Sequence, residues 1–248
     1  MKRLIDLLTE ITNAQTVEDL WPRFCEMLDE YGFDRVIYGY TRYRTDHSLG
    51  DPQDWVVLTN QSQSYMERFI DDGLCYHAPM LRWALENDGA CSWSWMAEPG
   101  NLTPSEMKVA AFNQEMGVTA GYTVSFRSVS VRSKGAMALT ARPGVSQNEV
   151  DRMWQETGKA VSVLCNVVHL KLLTLPYSGQ RSLTKRQKEV LQWVGDGKTT
   201  QDIAILLGLT PATVEKHLRL AREALDVETT AQAVLKAAFY NQMFVLDA

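Results

Sequence analysis

The sequence predicts an α+β protein of two domains: an N-terminal α/β/α sandwich around an antiparallel sheet, linked to a small C-terminal domain of four helices. Three observations predict it. Blocks with the three- and four-residue spacing of amphipathic helices are interleaved with blocks of two-residue alternation, in the order helices, strands, helices, strands, helix. A break follows at Leu173-Thr-Leu-Pro-Tyr-Ser-Gly-Gln-Arg-Ser182, where Pro176 cannot continue a helix and Gly179 loosens the backbone. Beyond the break, the helical pattern restarts from a new Ser/Thr cap. The bounds are residues 1–173 for the first domain, 174–181 for a linker and 182–248 for the second domain.

Each element has a local reason. Met1–Asn13 and Val17–Tyr31 read as helices, the second capped by Thr16 ahead of Glu18 and Asp19. Arg35–Arg42 and Trp55–Asn60 are rich in β-branched and aromatic residues and read as strands around a polar loop, Tyr43–Asp54. Ser64–Gly73 and Pro79–Asn87 read as helices. So does Pro104–Met116, with Thr103 and Glu106 as reciprocal caps. Gly121–Val131 and Ala136–Arg142 alternate and read as a hairpin turning at Ser133-Lys134-Gly135. From about Asn148 to Leu173, Val150, Met153, Trp154, Thr157, Val161, Leu164, Cys165 and Val168 mark the core stripe of a long helix.

Composition narrows the function. Hydrophobic residues are 45% and charged residues 22% of 248, an ordinary globular balance. No apolar run approaches the roughly 20 residues that span a bilayer, and acidic residues interrupt any leader-like core after Met1-Lys2-Arg3. A cytoplasmic protein without membrane contact is expected. Cys25, Cys75, Cys91 and Cys165 form no CxxC pair and no metal-ligand spacing, so reduced thiols and no metal site are expected. The net charge of −5 is unevenly spread: residues 1–180 carry 16 Lys+Arg against 22 Asp+Glu, and residues 181–248 carry 9 against 8. A near-neutral tail permits DNA binding if its basic residues share a face.

The tail supplies such a face. A helix follows the Ser182–Thr184 cap and stops at Gly197. A short one, Thr200–Gly208, stops at a second glycine. A third is capped by Thr210 with Pro211 at its first position, where a missing N–H costs nothing. A fourth runs from Thr230 to about Phe244. The second and third helices form a helix-turn-helix, whose later helix enters the major groove. Val214, Leu218, Ala221 and Leu225 make its buried stripe and leave Thr213, Glu215, Lys216, Arg219 and Arg222 toward the open faces.

Leu183-Thr184, Glu189, Leu191, Trp193, Gly197-Lys198, Ile203-Ala204, Leu207-Gly208, Thr213-Val214, His217, Ala221, Leu225, Ala231 and Ala233 together resemble the DNA-binding domain of the LuxR type, over about 60 residues. The resemblance implies that Glu215, Lys216 and Arg219 read bases and that Lys198, Thr199, Thr213 and Arg222 hold phosphates. A glutamate can accept from cytosine N4, so Glu215 either sets a base preference or points to solvent. Gln187 stands where an acidic residue is usual, which implies a weakened local polar contact. A single module with so little positive charge is expected to bind double-stranded DNA weakly, and a homodimer on an inverted-repeat site doubles the phosphate contacts.

The first domain resembles the autoinducer-binding domain of the same regulators at Tyr65-Met-Glu-Arg-Phe69, Tyr76-His-Ala-Pro79, Cys91-Ser-Trp-Ser-Trp95 and Met116-Gly-Val-Thr-Ala-Gly121. By resemblance, Tyr65 donates to the lactone carbonyl of an acyl-homoserine lactone, Trp93 packs over the lactone ring and Gly121 opens a strand. Two positions depart. Phe69 has no hydroxyl for the ligand amide carbonyl. Ala78 replaces the aspartate that accepts the ligand amide N–H, a loss of about 1–3 kcal/mol. His77 beside it is either a substitute acceptor or a surface histidine. Leu58, Met80, Leu81, Trp83, Phe112, Val124, Phe126, Met137 and Leu139 are candidate walls, each equally a core position.

The sequence therefore predicts a DNA-binding transcriptional regulator controlled by a small signal, either an acyl-homoserine lactone or a different amphipathic or aromatic molecule. The alternative is a ligand-independent dimeric regulator whose first domain only dimerises. No enzyme is expected: there is no GxSxG, HExxH or phosphate-cradling glycine loop, His47, His77, His169 and His217 are far apart in sequence, and no cofactor motif occurs.

Overall fold

The computed structural model describes residues 2–177 and 181–243. The chain divides into two compact units, Met1–Leu173 and Thr174–Ala248. Ser178–Gln180 of the expected linker and the end of the expected fourth helix from Phe244 lie outside the described residues.

The first unit runs α1 (Lys2–Asn13), α2 (Val17–Glu30), β1 (Phe33–Thr41), β2 (Val56–Thr59), α3 (Gln63–Met66), α4 (Pro79–Glu86), β3 (Gly89–Ser92), α5 (Pro104–Glu115), β4 (Gly121–Ser125), β5 (Lys134–Ala141) and α6 (Gln147–Leu172). All five strands are antiparallel, in the order β2-β1-β5-β4-β3. Caps start the helices: Thr16 accepts from the Asp19 amide, and Thr103/Glu106 and Ser146/Glu149 form full capping boxes.

The sheet has two unlike faces. In β1 and β5 the register pairs Ile37 with Ala138, Gly39 with Ala136 and Thr41 with Lys134. These residues share one face, and most of them are small. On the other face Val36, Tyr38, Met137 and Leu139 are fully buried, and α2 and α6 cover them, with α1 packed on these two helices. Here Tyr122 stacks on Trp154 at 3.9 Å and Phe126 on His169 at 4.1 Å. On the small-residue face, α4 packs against β4 and β5 but does not fill the space. The result is the α/β/α sandwich, with room on one side only.

Three boundaries differ from expectation. β4 ends at Ser125, not Val131: Val129 and Val131 are β-branched but exposed, with nothing to pack against. The helix expected over 64–73 is α3 for one turn and then a wider π-type turn, Glu67–Asp71. β3 was not expected: four residues, Gly-Ala-Cys-Ser, give too short an alternation to see.

The second unit holds α7 (Lys185–Gly195), α8 (Thr200–Leu207), α9 (Pro211–Leu225) and α10 (Thr230–Phe239) around one core that includes Val190, Leu191, Ile203, Val214, Leu218 and Leu225. Gly208 takes φ +64 to end α8, and Thr210 caps α9 with Pro211 behind it. Gln187 is the third residue of α7, and its Oε1 accepts from the Thr184 amide at 2.8 Å within a capping box. A neutral amide therefore makes the local contact expected to be weakened. At the C-terminal end, buried Gln242 accepts from the Leu183 amide (3.0 Å) and donates to the carbonyls of Arg181 (2.9 Å) and Tyr177 (3.1 Å). Among the described residues, no helix is long and apolar enough to cross a membrane.

Candidate ligand cavity and nucleic-acid interface

Between the small-residue face of the sheet and α3–α5 lies a cavity of about 170 Å³. Its floor is Ile37 and Gly39 of β1, Val57 of β2, Thr123 of β4, and Ala136, Ala138 and Thr140 of β5. Glycine and alanine at the middle of paired strands are what leave the space. Its walls include Tyr65, Phe69, Met80, Leu81, Trp55 and Trp93. Among the described residues, no carboxylate lines it.

Each residue expected at the ligand has a definite place. Tyr65 is buried on the wall, stacked between Phe69 (5.3 Å) and Phe112 (5.2 Å), and its hydroxyl donates to Asn113 Oδ1 at 2.9 Å. Burial raises the phenol's pKa, with a smaller opposing pull from Arg35, so the hydroxyl stays protonated. Phe69, Ala78 and Leu81 lie on the wall. Phe112 lies behind Tyr65 and is not on the wall. Trp93 is on the wall, and its indole N–H donates to the Thr123 hydroxyl oxygen at 2.9 Å. Gly121 lies beneath Trp93: a Cβ there would sit 3.0 Å from the indole ring and 2.1 Å from the Leu139 carbonyl oxygen. Its role is to let ring and strand approach.

His77 departs from the place expected of it. It ends a short 3₁₀ turn, Leu74–His77, with its side chain exposed and off the cavity wall, while Ala78 turns inward as the N-cap of α4. Successive residues at a helix start point in different directions, which separates the two. Of the candidate walls, Met80, Leu81 and Met137 touch the cavity. Leu58, Trp83, Val124, Phe126 and Leu139 do not.

Five polar or small contributors were not singled out in the sequence: Asn113, Thr123, Thr140 and the floor pair Ala136/Ala138. The run Ala136-Met-Ala-Leu-Thr140 carries a visible signal, smaller and larger residues in alternation. Cys75 is also on the wall, with burial holding its thiol protonated by raising its pKa to about 11.

In the second unit, α8 and α9 meet as a helix-turn-helix. Thr199 caps α8 with Asp202, and Lys198 is exposed just before it. Thr213 shares a 2.9 Å hydroxyl contact with the cap Thr210. Lys216 and Arg219 are exposed on α9, with Arg219 donating to Glu223 at 2.5 Å. Arg222 is half-buried and donates to Thr230 at 2.9 Å, bracing the start of α10. Glu215 accepts from the Thr200 hydroxyl at 2.8 Å across the turn, so its carboxylate is tied to the head of α8. Arg181 caps the far end of α9, donating to the Leu225 carbonyl at 2.8 Å.

A cavity-bearing α/β/α unit and a helix-turn-helix unit on one chain define a ligand-responsive DNA-binding transcriptional regulator. Residues 16–172 match the autoinducer binding domain and residues 181–237 match the bacterial regulatory proteins of the luxR family; the chain belongs to the LuxR family. The chain is similar to the transcriptional activator protein AnoR of Acinetobacter nosocomialis, at 24% identity over 237 residues, covering 94% of this chain and 95% of that one. It is similar to the transcriptional activator protein LuxR of Aliivibrio fischeri, at 22% identity over 240 residues, covering 95% and 91%. In structure, it shares its fold with the N-acylhomoserine lactone dependent LuxR-family transcription factor CepR2 of Burkholderia cenocepacia, at TM-score 0.51 and 18% identity over 68% of this chain and 93% of that one.

Proposed function

We propose that the cavity binds a small, neutral, amphipathic signal molecule and that occupancy controls DNA binding by a cytoplasmic homodimer on an inverted-repeat site. The observation that carries this proposal is the cavity itself: a floor of glycine and alanine on paired central strands, roofed by aromatic side chains, in an autoinducer-binding fold. Tyr65, Phe69, Ala78, Leu81 and Trp93 are its contact residues. Phe112 supports Tyr65 from behind, and Gly121 supports Trp93 from below. On DNA, Lys216 and Arg219 read base edges, and Lys198, Thr199, Thr213 and Arg222 position the phosphates. Glu215 is a base reader only after releasing Thr200. The chain carries out no catalysis in this account. CepR2 is described as dependent on N-acylhomoserine lactone, which makes acyl lactones the first class to try.

One observation favours a second account, a regulator that needs no signal. The hydroxyl that resemblance assigns to the ligand, that of Tyr65, is already satisfied within the protein by Asn113. Thermal-shift measurements separate the two accounts. A true signal at a hundredfold excess over its Kd stabilises the protein by about 2.7 kcal/mol. Tight DNA binding by the ligand-free dimer, with no shift from any acyl lactone, aromatic or pyrone-like compound, would leave the constitutive regulator.

A further inference from the structure

Glu215 places an acid on the helix face that otherwise offers cations to DNA. It is exposed on α9, and Arg219 is exposed one turn further along the same face. Glutamate followed by arginine at this spacing is the ordinary ion pair of an exposed helix. That pair is not formed. Glu215 Oε1 instead accepts from the Thr200 hydroxyl at 2.8 Å, across the turn on α8. Arg219 turns the other way and donates to Glu223 at 2.5 Å. Lys216 is exposed beside Glu215 and has no partner among the described residues. Thr200 is the first residue of α8, but the cap of that helix is made by Thr199 and Asp202, so the Thr200 hydroxyl takes no part in it. Helix α9 therefore keeps apart a carboxylate and a guanidinium that its own geometry would let cancel, and Thr200 is what holds the carboxylate away.

We propose that Glu215 selects cytosine at one base pair of each half-site, and that Thr200 is the positioning residue that keeps it available to do so. This rests on the base-reading role given to α9 above. In the major groove cytosine offers its N4 amine with no acceptor beside it on the same base, whereas adenine sets its N7 acceptor next to the N6 amine. A carboxylate only accepts, so it is drawn to the first and partly repelled by the second. Guanine and thymine offer acceptors and no donor. At cytosine the exchange is even: Glu215 gives up one donor, the Thr200 hydroxyl, and gains another. At guanine or thymine it gives up Thr200 for nothing. A wrong base at that position should weaken binding about 5- to 150-fold.

Selection of bound sequences from a random duplex library by the full chain, at low salt, reads this directly. Wild type is expected to enrich a site containing a cytosine that depends on Glu215. Glu215→Gln supplies a donor beside the acceptor and should move that position from cytosine to adenine, which an amide reads through N6 and N7. Glu215→Ala should open it to all four bases. Thr200→Val frees the carboxylate for Arg219 and should weaken the cytosine preference, while Thr200→Ser keeps it. A merely structural Thr200 would change affinity or stability and not which base is chosen. With Glu215→Ala already present, Thr200→Val should alter the selected sequence no further. If Thr200→Val does not fold, Thr200→Ala carries that arm. An enriched site that stays the same in Glu215→Gln overturns the cytosine assignment and leaves DNA binding standing. Equal base preference in folded Thr200→Val and Thr200→Ser overturns the positioning role. If wild type enriches no sequence, α9 does not read bases, and the earlier assignment falls with this one.

Discussion

The two units put apolar residues to opposite uses. In the second, Val190, Leu191, Ile203, Val214 and Leu225 close on one another until each is fully buried. In the first, the large residues crowd one face of the sheet, while Gly39, Ala136 and Ala138 hold the other face open. The difference is one of residue volume at alternate positions of a strand, not of overall hydrophobicity. A DNA-reading module needs a rigid helix pair. A receptor needs a vacancy that its own chain does not collapse into.

Substitutions sharpen the contrast. The largest effect is expected at Gly121, where any Cβ strikes the Leu139 carbonyl at 2.1 Å. Gly121→Val should exceed the roughly 1–3 kcal/mol of ordinary overpacking. Calorimetry should show the first unit's transition lost and the second unit's retained; a normal first transition would refute the packing described. Leu225→Ala should cost the second unit about 2–5 kcal/mol in urea denaturation, because that core has no slack.

His169 comes next. It is buried against Phe126 with its Nδ1 3.0 Å from the Tyr38 hydroxyl, and desolvation lowers its pKa to about 4. The unfolded chain binds this proton near pH 6.5 and the folded chain does not. Stability is therefore full above about 6.5 and is lost as the pH falls toward 4, on the order of 3 kcal/mol across that window. Urea midpoints for wild type and His169→Gln should converge at low pH; a parallel pH dependence would mean that another group is responsible.

Ala136→Leu should act in the opposite sense. Filling the cavity adds about 0.5–2 kcal/mol of stability while abolishing ligand-induced thermal shifts. The same enlargement inside the second unit's core would destabilise it. The smallest effect is at Lys216. Lys216→Ala should lower the salt slope of DNA binding by about one, and an unchanged slope would take Lys216 off the DNA.

The second unit was more legible in sequence than the first. Gly208, Thr210 and Pro211 punctuate the helix-turn-helix within a few residues, so local chemistry alone marks it. The cavity is a long-range object. Its floor is legible only once register sets Gly39 beside Ala136 and Ile37 beside Ala138, and its polar end only once α5 brings Asn113 to Tyr65. Leu139, Phe126 and Val124, large apolar residues expected as walls, belong to the packed face, because the empty side of a sheet is lined by what is small. Glu215 shows the same limit: its position on α9 was evident, its tie to Thr200 was not.

Gly135 touches both sides of this design. It borders the cavity, yet a Cβ there would meet His169 at 2.9 Å and Phe126 at 3.2 Å. At that point the partition between guest and helix α6 is a single peptide backbone. Glycine at this position is what lets the lining of the cavity and the backing of the aromatic stack be the same stretch of backbone.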